Sequence, residues 1–265
     1  MPGIFREKLF ENRTALITGG SSGIGLHIAA KLAAHGARVA LVGRDRNKLE
    51  RAAGAISACG GTAYFFAADV RDYLAISEAV RQAHEALGKL DILICGAAGN
   101  FLAPALGMSA NGFKSVVDID LNGTFNTCRA AFGHLQKPGA AVVNISAIHG
   151  FRPVPMQAHV CAAKAGIEML SKVLALEWAS AGVRVNAVCP GPVEDTEGMR
   201  RLTPSDEAKA ALVASIPLRR YATKDEVADL TLFLCSDAAA IITGAVFVCD
   251  GGLSLTGTGF GAPPV

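Results

Sequence analysis

At 265 residues, 51% of them hydrophobic and with a mean hydropathy of +0.36, the chain can bury a large core and is not a disordered segment. Its 25 basic and 23 acidic residues leave a net charge of +2, which gives no reason to expect a nucleic-acid or membrane-surface partner. Seven scattered cysteines form no C-x-x-C pair, which favours small buried thiols in a reducing compartment over disulfides or a metal site.

Thr14-Ala15-Leu16-Ile17-Thr18 is a short apolar run ending in glycines, the pattern of a buried strand. The spacing then predicts a helix from His27 to His35, stopped by Gly36. Further strands are expected from Arg38 to Val42, Thr62 to Ala67, Asp91 to Cys95, Ala140 to Ile145, Arg184 to Val188 and Ala245 to Cys249. Helices are expected from Arg46 to Ala58, Asp72 to Leu87, Phe113 to Leu135, about Gln157 to Ser180, and Asp225 to Leu234. Residues 190–224 carry Pro190, Pro192, Pro204 and Pro217 and read as an irregular segment of the kind that closes over ligands. Near-continuous apolar strands alternating with helices argue a single α/β domain, a doubly wound parallel sheet of about seven strands with helices on both faces. No composition break or long repeat divides the chain.

The start, Met1 to Lys8, lacks an apolar leader core, and the uncharged stretch 92–113 holds too many glycines for a membrane helix. The end, Pro263-Pro264-Val265, is not a peroxisomal address. The expected location is the cytoplasm.

Gly19-x-x-x-Gly23-x-Gly25 follows the first strand and opens a helix. Glycine lets the backbone turn sharply and approach a pyrophosphate, whose charge is favoured at a helix N-terminus. Ser21, Ser22 and Ile24 complete this candidate cofactor turn. The second strand ends Val42-Gly43-Arg44-Asp45. An arginine there accommodates a 2′-phosphate and an acid would select the 2′-hydroxyl. Arg44 comes first and Asp45 can cap the next helix, which favours NADP; the plain alternative is a solvated surface charge. Asp69-Val70 ends the third strand, where the carboxylate could accept from an adenine amino group or cap the helix near Asp72.

The chain resembles the short-chain dehydrogenases/reductases over nearly its whole length. Thr18 to Gly25 match that family's TGxxxGxG turn, and Cys95-Gly96-Ala97-Ala98-Gly99 stands where it has NNAG. Ser146 and Lys164 match its active-site serine and lysine, and Pro190-Gly191-Pro192-Val193 the turn beside the nicotinamide. Two positions depart. Val160 stands four residues before Lys164, where the family has its proton-donating tyrosine; the only tyrosines are Tyr64, Tyr73 and Tyr221. Asp120 stands where the family often has a water-holding asparagine.

Within that family, Ala97-Ala98-Gly99-Asn100-Phe101-Leu102, Met108 to Phe113, Asp118-Ile119-Asp120 and Pro190 to Leu202 are similar to the 2,4-dienoyl-CoA reductases, especially the peroxisomal type. The resemblance implies one Rossmann-type, NADP-binding domain over 1–265 that reduces 2,4-dienoyl-CoA to 3-enoyl-CoA, and a homotetramer. Carried over, Asp120 and Lys164 hold the proton-donating water, and Lys164 also binds the nicotinamide ribose. Asn122 and Ser146 are candidates for the thioester oxygen or for ordering water. Pro190, Gly191, Val193 and Thr196 join the cofactor set. Arg71 and Arg201 would meet the CoA phosphates, with Phe101 and Ser109 near the acyl thioester, and Arg44 could meet either the NADP phosphate or the CoA phosphates. Two other readings stay open: a catalytically silent NADP-binding scaffold, and a reductase of another substrate in which His149 or His159 replaces the tyrosine. No H-E-x-x-H or similar metal spacing is present, and Ser146 lacks a G-x-S-x-G setting.

Overall fold

The computed structural model describes residues 5–256; the Pro263-Pro264-Val265 end and part of the Met1 to Lys8 start lie outside them. Seven strands, β1 (Thr14–Thr18), β2 (Arg38–Gly43), β3 (Thr62–Ala67), β4 (Ile92–Cys95), β5 (Ala141–Ile145), β6 (Arg184–Pro190) and β7 (Val246–Cys249), form one parallel sheet in the order β3-β2-β1-β4-β5-β6-β7.

Successive strand residues face opposite sides, and both sides are covered. In β1, Ile17 packs with Ile28 and Leu32 of α1 (Gly23–Ala34), Leu49 of α2 (Arg46–Ala58) and residues such as Leu232. Its neighbour Leu16 packs the other way, with Ile76 and Val80 of α3 (Tyr73–Leu87), Leu135, and residues such as Leu174. Each such fully buried aliphatic side chain contributes about 1.5–3 kcal/mol relative to exposure. A strand buried on both faces favours apolar residues throughout its centre, which is why residues 15–17 of β1, all of β4 and most of β5 read as unbroken apolar runs.

The strand order reverses between β1 and β4. Thr18 and Cys95 are partners at their C-terminal ends, and the Gly96 amide donates to the Thr18 carbonyl at 3.1 Å. Chains leaving these two ends diverge to opposite halves of the sheet, which opens a crevice at the switch point.

Several helices differ from the sequence expectation. α1 starts at Gly23 rather than His27, because a glycine-rich first turn carries no apolar periodicity. The expected helix from Phe113 to Leu135 begins earlier and has three parts: α4 (Ala110–Val117), a π-helical turn (Asp118–Asn122) and α5 (Gly123–Ala131). α6 (Ala158–Trp178) and α9 (Lys224–Cys235) fall close to expectation. The 190–224 segment is not irregular throughout: it contains α7 (Glu197–Leu202), capped by the Thr196 side chain, and α8 (Asp206–Ser215), capped by the Ser205 side chain. Pro204 separates them, since the residue before a proline is driven out of helical geometry.

Candidate active site

The switch-point crevice is a cleft of about 450 Å³, and all the residues expected in the glycine-rich turn line it: Gly19, Ser21, Ser22, Gly23, Ile24 and Gly25. A side chain at Gly25 would put its Cβ 2.4 Å from the Gly19 carbonyl oxygen, so only glycine lets the turn close on itself. A Cβ at Gly23, where φ is +56°, would meet nothing within 4 Å, so this residue of the cleft lining borders open space. Ser22 caps α1 without a side-chain hydrogen bond, so the amides of that first turn keep their donors for an anion. These features fit a dinucleotide pyrophosphate.

Arg44, Asp45 and Lys48 form the wall at the end of β2. Asp45 accepts from the Lys48 amide at 3.0 Å as the α2 cap, so its carboxylate serves the helix and the local cationic groups are Arg44 and Lys48. Asp69 and Val70 also line the cleft. The cap of α3 is Asp72 and not Asp69. Asp69 is gripped by Arg71: the Arg71 Nη2 donates to Oδ2 at 2.6 Å, and Nε lies 3.0 Å from both carboxylate oxygens. The Arg71 guanidinium holds the Asp69 carboxyl below its usual range. Two residues expected to bind different ligands therefore bind each other.

The π-helical turn sets Asp120. Such turns inside α-helices concentrate at functional sites. Asp120 is 0% exposed, whereas Asn122 in the same turn is exposed and donates to Asp118 at 2.9 Å. The structure thus keeps Asn122 out of the cleft lining and puts Asp120 in it. Asp120 Oδ1 accepts from the Gly99 amide at 2.7 Å. The Lys164 ammonium lies 3.0 Å from Oδ2 and donates to the Ile145 carbonyl at 3.2 Å. It approaches Oδ2 off the hydrogen-bonding direction, so that oxygen has an ionic partner but no aligned donor.

Val160 is buried and lines the same cleft, one turn of α6 before Lys164. No tyrosine is among the cleft residues: Tyr64 is on β3, Tyr73 packs under Arg129, and Tyr221 belongs to a small apolar cluster with Ile148, Ile216 and Leu253. Ser146 is present in the cleft, but its hydroxyl donates to Glu168 Oε1 at 3.0 Å. Glu168 is a buried carboxylate on α6 that also accepts from Cys189 at 3.2 Å. In this arrangement the hydroxyl is within reach of two protein acceptors, Glu168 Oε1 and, at 3.4 Å, the Lys164 carbonyl, and its lone pairs remain able to accept. No sequence pattern singles out Glu168; its one signal is its place four residues after Lys164, on the same helix face.

Beside the cleft lies an apolar cavity of about 600 Å³, bounded by Leu102, Ile148, Val154, Met199, Leu212 and Leu253 among others. Pro190, Gly191 and Val193 line this cavity, and Thr196 lines both spaces. The other expected substrate residues sit apart from these walls. Phe101 stacks edge-on against His159 with ring centroids 4.3 Å apart, Ser109 caps α4 through the Gly112 amide, and Arg201 pairs with Glu197 on exposed α7. Among the described residues no cluster of metal-ligating side chains occurs, and no helix is long and apolar enough to cross a membrane.

Residues 19–254 match the family profile described as Enoyl-(Acyl carrier protein) reductase. The chain is 43% identical over 255 residues, 96% of its length and 85% of the relative's, to a zebrafish (Danio rerio) protein named "Peroxisomal 2,4-dienoyl-CoA reductase [(3E)-enoyl-CoA-producing]". It is 41% identical over 245 residues, 91% of its length and 96% of the relative's, to a Bacillus subtilis protein named "Probable 2,4-dienoyl-CoA reductase [(2E)-enoyl-CoA-producing]". Among solved structures, a citronellol catabolism dehydrogenase of Pseudomonas aeruginosa superposes with a TM-score of 0.85 at 36% identity, covering 96% of this chain and 100% of that one.

Proposed function

The chain belongs to the short-chain dehydrogenase/reductase family, and from that premise we propose that it reduces a 2,4-dienoyl-CoA to a 3-enoyl-CoA with NADPH. The observation that carries this reading is the buried Asp120–Lys164 pair in a cleft where Val160 takes the tyrosine's place. When bound, NADPH supplies a hydride to the far carbon of the conjugated system, which leaves charge spread toward the thioester as a dienolate. A dienolate is a weaker base than the alkoxide of a ketone reduction and does not need a phenol beside it. Asp120 Oδ2 has capacity to accept from a water, and the Lys164 ammonium can donate to and polarise the same water. That water gives its proton to the carbon next to the thioester, which yields the 3-enoyl product, and the hydroxide left behind takes a proton from the Lys164 ammonium, which solvent then restores. The ammonium charge also stabilises the enolate oxygen as it develops.

Arg44 with Lys48 is assigned to the NADP 2′-phosphate, Asp69 and Val70 to the adenine side, and Lys164 to the nicotinamide ribose. Arg71 and Arg201 are assigned to the CoA phosphates, for which each must exchange its present carboxylate partner. Phe101 and Ser109 are assigned to the thioester end. A homotetramer belongs to the same proposal. A cytoplasmic location does too, supported by seven free cysteines and set against the peroxisomal naming of the zebrafish relative.

The test is direct. Purified protein mixed with NADPH and a 2,4-dienoyl-CoA should consume the nicotinamide absorbance and give a 3-enoyl-CoA by mass spectrometry and NMR. NADPH binding without consumption would instead identify a silent scaffold, and a 2-enoyl product would move the proton donor away from the thioester carbon.

A further inference from the structure

The apolar cavity has a charged residue in its wall. Among the described residues that bound it, Arg152 alone carries a permanent charge; Leu102, Val154, Met199 and Leu253 share that wall. Arg152 and Leu253 border this cavity and not the cleft, so they lie beyond the junction that Ile24, Ala147, His149 and Thr196 form between the two spaces. The guanidinium is fixed there, because Nη1 donates to the Leu253 carbonyl. That bond joins two wall residues, so the charged end of Arg152, and not only its stem, runs along the wall. Leu253 is held in turn. It opens a 3₁₀ turn (Leu253–Leu255) whose start is tied down by Asp250, which accepts from the Gly252 amide at 2.8 Å and the Ser254 amide at 2.6 Å.

Arg152 is half-buried, and none of the ion pairs among the described residues includes it. One of its five N–H groups is used. Its Nε and Nη2 have no acceptor among the described residues and are not sealed from solvent. A hydrocarbon tail laid over these donors strips their water and supplies no acceptor, which is unfavourable. A carboxylate at the far end of the tail supplies two oxygens that match the planar fork. The thioester end does not reach this wall. With the reacting carbons at Lys164, on the cleft side of the junction, the part of an acyl-CoA that meets Arg152 is the end of its tail.

We propose that Arg152 is a specificity-determining residue that binds a carboxylate at the far end of the acyl chain, so that the cavity takes ω-carboxylated dienoyl-CoA substrates. The inference rests on the acyl-CoA reading above. Its sign is set by charge. A carboxylate entering an apolar cavity loses its water and is disfavoured against its own neutral methyl ester, and only a cation in the wall reverses that order.

Calorimetry tests this without requiring turnover. Full-length protein saturated with NADP⁺ is titrated with non-reactive, saturated mono-CoA thioesters of α,ω-diacids over a series of chain lengths, and with their ω-methyl esters. Because Leu253 holds the guanidinium at a fixed depth, one chain length should bind tighter as the free carboxylate than as the ester. Arg152→Gln can still donate to the Leu253 carbonyl but carries no charge. It should move the carboxylate-to-ester ratio toward the ester by about 10- to 100-fold, the scale of a charged hydrogen-bonded pair. Arg152→Lys should keep part of the carboxylate preference. In turnover, the matching 2,4-dienoyl monothioesters should show the same ratios in kcat/KM, and plain 2,4-decadienoyl-CoA should gain in Arg152→Gln. A wild-type protein that favours the ester at every length, or a carboxylate preference that persists in Arg152→Gln, overturns the proposal. So does an equal loss on all substrates in both variants. With a lowered Tm, that loss makes Arg152 a tether for the Leu253 turn; if it is absent with N-acetylcysteamine thioesters, Arg152 meets the CoA phosphates instead. Binding of CoA thioesters without a carboxylate preference overturns this inference alone, whereas no binding of any CoA thioester overturns the acyl-CoA reading together with it.

Discussion

The Lys164 ammonium and the Asp120 carboxylate stand 3.0 Å apart, both almost wholly removed from solvent. Neither is satisfied by the other alone: Lys164 also needs the Ile145 carbonyl and Asp120 the Gly99 amide. Removing one partner of a buried ion pair leaves an uncompensated charge, which costs about 3–5 kcal/mol. Asp120→Asn and Lys164→Met should each lower stability on that scale in urea unfolding. Each should also reduce dienoyl-CoA turnover by about 10²–10⁴-fold, the range of a lost general acid or base. The double variant Asp120→Asn/Lys164→Met should be more stable than either single variant, because it buries no lone charge, yet remain inactive. Activity that survives in Asp120→Asn would remove the carboxylate from the proton-delivery step.

Arg44 and Lys48 are the cationic groups at the rim where a 2′-phosphate would lie, because Asp45 is occupied with the α2 cap. Arg44→Asp should raise the KM for NADPH by roughly 10- to 100-fold, the scale of a lost hydrogen bond to a charged group. It should leave the KM for NADH nearly unchanged. Equal effects on both cofactors would show that Arg44 does not meet the phosphate.

Much of this architecture was legible because strands buried on both faces cannot hide: Leu16, Ile17, Leu93 and Ile94 have to be apolar. The segment 190–224 was less legible because its helices are short and Pro204 and Pro217 suppress any long periodicity. The helical form of α7 has a consequence at the site. On a helix, Glu197 and Arg201 are four residues apart and face each other, so the arginine expected to hold CoA is already paired. The Asp69–Arg71 clasp was hidden for a similar reason, since two residues can carry separate meanings in a motif and still touch in the fold. The chemistry of Asp120 and Lys164 was readable only through family resemblance. Their proximity depends on a π-helical turn that no local pattern announces.

Gly23 and Gly25 sit two residues apart in the nucleotide turn but should fail differently. Gly25→Ala drives a Cβ to 2.4 Å from the Gly19 backbone oxygen, so the turn itself must move and Tm should fall together with NADPH affinity. Gly23→Ala meets no protein atom and carries a left-handed φ of +56°, a backbone cost of about 1–2 kcal/mol. Its methyl projects into open space at a residue that lines the cleft. NADPH affinity should therefore fall well beyond what its modest Tm change explains, as read by fluorescence titration and calorimetry. Similar Tm losses in both variants would mean that glycine at position 23 is a feature of folding and not of binding.

His159 supplies a pH test of stability. Its ring is 0% exposed, packs on Phe101, and neither nitrogen has a hydrogen-bond partner among the described residues. Burial holds its pKa below the ordinary imidazole value of 6.5, against the opposing pull of the nearby Gln157 backbone and the Asp120 charge. The unfolded chain therefore takes up a proton as pH falls through about 6.5, while the folded chain does not until lower pH. Folding stability should be fully present above that point and decline below it. His159→Leu fills the space without buried polar atoms, so it should be more stable than wild type by about 1–3 kcal/mol at pH 7.5. The margin should widen between pH 6.5 and pH 5, because the variant has no proton to exclude. Urea unfolding at a series of pH values measures both. A margin that is constant with pH would show that the folded state already accommodates the imidazolium, and that His159 has a partner which opens to it on protonation.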